Sequence, residues 1–207
     1  MRSPADNLRQ PFLAAILALA LGCAAPEAGT DDAMADAEPA AAEVAEMPPQ
    51  PMADPADVES IDAIITAVYE VISGDAGVER DWDRFRSLFL PQARLMPVSS
   101  QHGENGRSSS VSAATPDEFI EGSNDFFVSQ GFYEVEIGSV TEQYGDIAHR
   151  FSSYASFRTD DPDEEPFNRG INSFQLLYDG ERWWVLSIFW QHEPDAGPIP
   201  AEYLDEI

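Results

Sequence analysis

Arg169-Gly-Ile-Asn-Ser-Phe-Gln-Leu-Leu-Tyr-Asp-Gly-Glu-Arg-Trp-Trp-Val-Leu-Ser-Ile-Phe-Trp-Gln191 reads as two strands joined by a tight turn. Asp179-Gly180 marks the turn, because glycine accepts the positive φ that short hairpin turns require. Strict alternation along the second strand puts Trp184, Leu186, Ile188 and Trp190 on one face. It puts Trp183, Val185, Ser187, Phe189 and Gln191 on the other. Both faces are apolar, so both need cover. Helices can cover the concave face of a bent sheet. The convex face is expected to find its cover in a second copy of the chain, as a homodimer.

Two further strand-like runs precede this pair, Phe132 to Thr141 and Asp146 to Arg158, with a turn at Gly145-Asp146. Earlier still, Val58, Ile61, Ile64, Ile65, Val68, Val71 and Ile72 recur at helical spacing and stop at Gly74. Trp82, Phe85, Leu88 and Phe89 make a short second helix. Ala93 to Val98 and Ser109 to Ala113 read as short strands, with Gly103 to Ser110 as a loop between them. Thr115-Pro-Asp-Glu118 is a helix start, with a capping hydroxyl, proline in the first turn and acids at the positive end of the dipole. Arg80, Asp81, Asp83, Arg84 and Arg86 have the spacing of a charged outer face. Helices before and beside an antiparallel meander define an α+β class.

This order of elements resembles the NTF2-like (SnoaL-like) superfamily over Val58 to about His192. The resemblance rests on Arg80-Asp-Trp-Asp-Arg-Phe-Arg-Ser-Leu-Phe89, on Ala93-Arg-Leu95 and on the hairpin ending in a Gly-x-x-Trp strand. It implies a cone: a curved mixed or antiparallel sheet wrapped on about three N-terminal helices. It implies little about activity, because the same cone serves isomerases, dehydratases, cyclases and non-catalytic modules.

The first 56 residues read as address and tether. Arg2 and Arg9 precede an apolar run from Phe12 to Leu21, which ends at Gly22-Cys23. A positive start, about ten apolar residues and a small-residue end make a secretory signal over 1–22. The chain's single cysteine follows it directly, in the position of the lipidated residue of bacterial lipoproteins, which that segment resembles. Acyl chains on Cys23 would hold the protein on a membrane facing the periplasm. Ala24 in place of an enteric-type aspartate favours the outer membrane; the alternative is a soluble exported protein. Residues 23–56 are rich in Ala, Pro and acids, contain no Lys or Arg, and read as a disordered spacer before a domain over 57–195. Residues 196–207 read as a tail.

Composition bounds the partners. Eleven arginines and no lysine against 38 acids give a formal charge of −27, which repels nucleic-acid phosphates and anionic lipid surfaces. One cysteine permits no intrachain disulfide and no cysteine-based zinc site. His102, His149 and His192 lack metal-ligand spacing, so neither a metal nor a cofactor is expected.

His149 is the candidate general base, since it stands in a strand whose face could line the cone and imidazole is the side chain that most readily serves as a base. His149 with Tyr154 is the nearest arrangement to a base and its partner, but a separation of five puts them on opposite faces of a regular strand; Tyr69 on the first helix is the other candidate partner. Trp82, Phe85, Phe89, Phe174, Trp184 and Trp190 are candidate wall residues of a cone. Arg94, Asn172 and Gln191 are polar residues in apolar strands, able to orient a ligand carboxylate or carbonyl. The expected function is binding of a small apolar or aromatic molecule. A lyase or isomerase using His149, and a structural envelope module without a ligand, are the alternatives.

Overall fold

The computed structural model describes residues 50–205 except 105 and 162, so the signal, Cys23 and most of the tether lie outside the described residues. A four-residue helix α1 (Pro55–Val58) leads into α2 (Ile61–Ile72), where Ser60 caps the first turn by accepting from Ala63 N. Helix α2 buries Ile64, Ile65, Val68, Tyr69 and Val71. Helix α3 (Trp82–Leu88) starts at Asp81, which accepts from Arg84 N. Helix α4 (Pro116–Ser129) starts at a reciprocal box between Thr115 and Glu118, as its sequence requires.

Six strands form one mixed sheet in the order β2-β1-β6-β5-β4-β3. They are β1 (Phe89–Gly103), β2 (Gly106–Val111), β3 (Tyr133–Tyr144), β4 (Ile147–Phe157), β5 (Asn168–Tyr178) and β6 (Trp183–His192). Only the β1–β6 pair is parallel. The α+β class, the helix order and the meander β3 to β6 are as expected. The first hairpin is longer than expected, and Gly103 to Ser110 belongs to it rather than to a loop. Its ladder is held by backbone hydrogen bonds while β2 is exposed throughout, so no apolar alternation betrays it.

The alternation expected along β6 breaks at a bulge. Gln175 pairs with Ser187 but Leu176 pairs with Val185, leaving Leu186 as the extra residue. The phase therefore shifts. Trp183 and Val185 share the inner face with Ile188, Trp190 and His192, while Trp184 faces out.

Two further expectations are corrected. Arg80 is not on a charged surface: it is buried, and its guanidinium donates to the carbonyls of Ile72, Gly74, Val78 and Phe127. It ties the ends of α2 and α4 together, whereas Arg84 and Arg86 do make the surface ion pairs expected, with Asp57, Glu70, Asp83 and Asp117. The segment read as a tail is a strap. After α5 (Glu193–Ala196) it crosses the convex face, burying Ile199 and setting Tyr203 edge-on to Phe151 at 5.2 Å. It ends with Asp205 N donating to Ile137 O at 3.1 Å. Part of the convex face is thus covered by the chain itself and not by a second copy. Val135, Val140, Leu186 and Phe189 remain exposed.

Candidate functional site

The inner face of the sheet, with α2, α3 and α4, encloses a cavity of about 430 Å³. Helical periodicity in α4 aims Phe119, Phe126 and Phe127 at it, and Phe132 and Phe167 continue the ring wall. The rings support one another: Phe119 stacks on Phe85 at 5.5 Å and Phe127 meets Phe132 edge-on at 5.0 Å. Space remains because α4 carries small residues there, Gly122 and Ser123. A Cβ added at Gly122 would meet nothing within 4 Å.

Three polar sets enter this aromatic wall. From β3, Glu134 accepts from Ser156 Oγ at 2.7 Å. Burial pushes its carboxyl up to about 7, against the opposing hydrogen bonds from Ser156 and Asn172, and no basic group contributes. Glu134 therefore exchanges its proton near neutral pH. Second, Tyr154 OH meets His192 Nδ1 at 2.7 Å, with Asn168 Nδ2 2.9 Å from the same nitrogen. Burial holds the Tyr154 phenol well above its ordinary range and His192 below its own. Both groups are therefore neutral; because the Asn168 amide nitrogen can only donate, Nδ1 is the acceptor for it and for Tyr154 OH, with the His192 proton on Nε2. Third, Tyr69 OH lies 2.7 Å from Ser152 Oγ and accepts from Asn172 Nδ2 at 3.1 Å. Desolvation keeps the Tyr69 phenol protonated. The wall thus offers hydroxyl donors, an amide and a titrating carboxyl inside an apolar cup. That set can hold a neutral oxygen of a ligand and exchange a proton with it.

Of the sequence candidates, Tyr69, Phe85, Tyr154, Asn172, Phe174 and Trp190 line the cavity. The others do not. His149 points away, its Nε2 3.0 Å from Ser173 Oγ, while Ser152 and Tyr154 face inward; the parity argument against pairing it with Tyr154 holds, and its role as cavity base is withdrawn. Arg94 donates to the carbonyls of Gln92 and Ala93. Gln191 faces the strap side and donates to Ser100. Trp184 lies outside, under the Arg182 guanidinium, with its indole N–H on Asp179. Phe89 is fully buried in the core, and Trp82 packs against Phe85 with its indole N–H on Asn124.

Glu134 and His192 are the functional groups that sequence reasoning missed. One signal was present for Glu134: an acid two residues into an apolar strand run, Phe132-Tyr-Glu-Val, preceded by two aromatic residues. His192 had a signal too: it follows Trp190 by two residues and so shares its face, but it is the last residue of the strand. Among the described residues, no group of three or more His, Cys, Asp or Glu is placed to hold a metal ion.

No family model and no curated protein matches the chain. Solved structures do. The beta subunit of a candidate aromatic-ring-hydroxylating dioxygenase from Novosphingobium aromaticivorans superposes with a TM-score of 0.50 at 15% identity, covering 72% of this chain and 95% of that one. A protein of unknown function with a cystatin-like fold from Nostoc punctiforme gives 0.48 at 12% identity, over 65% of this chain and 89% of its own. An NTF2-like protein of unknown function from Silicibacter pomeroyi gives 0.43 at 15%, over 65% and 93%. At such identities the likeness speaks to fold alone. The fold is a bent six-stranded mixed sheet closed by helices, shared with the dioxygenase beta subunit.

Proposed function

We propose that the domain binds a small, largely apolar molecule, aromatic in its body, with a neutral oxygen seated among Tyr154, His192 and Glu134. One observation carries this reading: a cavity of about 430 Å³ walled by phenylalanines that admits a few convergent polar groups. The same open space argues against a structural module filled by its own side chains. Trp190 lines the cavity and serves as a reporter. Titration of the full chain with 2-naphthalenemethanol is expected to change tryptophan emission saturably, with one site per chain. An unchanged emission spectrum and no heat of binding would remove the proposal.

A second reading is favoured by the titration of Glu134 near 7. It makes the cone a lyase or isomerase in which Glu134, in place of His149, moves the proton. Turnover found on a panel of carbonyl metabolites should then follow a single ionisation near neutrality and vanish in Glu134→Gln. Turnover that survives that substitution would exclude Glu134 as the base.

Export and tethering through Cys23 complete the proposal, resting on the sequence of 1–23. A Cys23→Ala variant should leave the membrane fraction of its bacterial host; retention there would contradict lipidation. Pairing of two copies through exposed Val135, Val140, Leu186 and Phe189 is the accompanying proposal for quaternary structure. Sedimentation of the full chain should give twice the monomer mass, and a monomer at micromolar concentration would refute it.

A further inference from the structure

On β4, the inward row Ala148, Arg150, Ser152, Tyr154 and Ser156 continues by the same alternation to Arg158, one residue beyond the strand's end. There its guanidinium lies 3.8 Å from the centre of the Phe167 ring and 5.8 Å from that of Phe126. Both rings line the cavity and are partly exposed, so they form its rim. Arg158 therefore stands against the rim of the cone, packed on these two rings without itself lining the cavity.

Its bonding is incomplete. Nη1 is shut off from solvent and has no hydrogen-bond partner among the described residues. The carboxylate that folds back onto this end of the strand, Glu164, is taken up by the backbone and the neighbouring hydroxyl, accepting from Arg158 N, Thr159 N and Thr159 Oγ1. In the same fold, Arg80 and Arg150 are buried and saturated with acceptors, Arg150 by Glu136, Asp62 and Thr141. A desolvated guanidinium N–H left unpaired is costly, and stacking on aromatic rings offsets only part of that cost. Nη1 itself is out of a ligand's reach, but Nε and Nη2 are not shut off and make no hydrogen bond among the described residues, and a carboxylate matches their planar fork best.

We propose that Arg158 is an anion-recognition residue at the rim of the cone, so that the ligand is an aromatic molecule bearing a carboxylate. The ring system lies among the phenylalanines and the carboxylate emerges at Phe126 and Phe167 to meet Arg158. This rests on the cone being the binding site. It adds what the interior does not specify, the charge of the ligand and the direction in which it enters.

The test compares 2-naphthoate with 2-naphthalenemethanol, which share a ring system and differ in charge, by calorimetry on the full chain near neutral pH. Wild type should prefer the carboxylate by about tenfold or more. Arg158→Met should abolish that preference with the alcohol's affinity unchanged, which also shows that the variant is folded. Arg158→Lys should keep part of it, and added salt should weaken only the carboxylate. Equal affinities in wild type, or a preference that survives Arg158→Met, would overturn the assignment and leave the cone reading intact. Binding of neither probe would overturn both.

Discussion

Tyr154 and His192 stand on strands that are not neighbours, yet the Tyr154 hydroxyl lies 2.7 Å from His192 Nδ1. The residue between them is Gly170, which pairs with Tyr154 on one side and His192 on the other. A Cβ there would come within 2.5 Å of Tyr154 OH and 2.4 Å of Gln191 O. The bond crosses a strand because that strand has no side chain at the crossing.

Gly170→Ala should therefore destabilise the fold by about 2–4 kcal/mol, through overpacking and loss of a buried hydrogen bond. Thermal unfolding reads the first effect. Imidazole nitrogen NMR reads the second, as a changed Nδ1 shift of His192. Tyr154→Phe removes a donor to the neutral ring without the clash, so it should raise the His192 pKa. A pKa unchanged in Tyr154→Phe would mean that the bond contributes nothing to the tautomer.

Glu134 gives stability a definite pH slope. Its folded pKa of about 7 exceeds its ordinary 4.5, so the folded state holds the proton more tightly than the unfolded one. This contribution is complete below pH 4.5 and is lost as pH rises through about 7. His192 acts in the opposite sense, since burial lowers its pKa and its contribution is lost as pH falls. The Glu134→Gln comparison isolates the first effect. That variant should lose the decline and exceed wild type above pH 7 by about 2–3 kcal/mol, measured by urea unfolding at pH 5 and pH 8. Parallel pH profiles in the two proteins would contradict it.

Much of this was legible in the sequence, and the illegible parts have separate physical causes. Helices α2 and α4 announce themselves through periodicity and caps, and the β3–β6 hairpins through their turns. Six of the eleven proposed pocket residues line the cavity, but only Phe85, Phe174 and Trp190 of the six aromatic wall candidates, because a large apolar ring serves the core as readily as a cavity wall. One failure follows from parity. The bulge at Leu186 puts Trp184 out of phase with Trp190 and turns it outward, and a bulge leaves no mark in the residue pattern. Gly170 was a readable signal, an isolated glycine within a strand, which often marks a close backbone approach. The strap was unreadable because its few apolar residues, Ile199, Tyr203 and Leu204, lie in a polar, proline-containing run with no period.

That strap yields a prediction of its own. A chain ending at Ala196 loses the cover that Ile199 and Tyr203 give to Phe151 and the β3 edge. It should be less stable by about 2–4 kcal/mol and more prone to self-association, since the convex face then presents a larger apolar area. Chemical denaturation and analytical ultracentrifugation measure the two. Unchanged stability would show that the segment merely rests on the sheet.

Gly122 offers a way to close the cavity without touching its polar groups. A larger side chain there extends into open space, and an α4 position freed of glycine gains helix propensity, about 1 kcal/mol for alanine. Gly122→Phe should retain wild-type stability within about 1 kcal/mol while losing binding of 2-naphthalenemethanol. Binding that persists would locate the probe outside the cone.

The most direct test is a crystal structure of the full chain grown with saturating 2-naphthalenemethanol. The account predicts the naphthalene rings between Phe119, Phe127 and Phe132, with the hydroxyl within hydrogen-bond distance of Tyr154, His192 or Glu134. A cone without probe density, or a probe seated only on the outer face of the sheet, would contradict it.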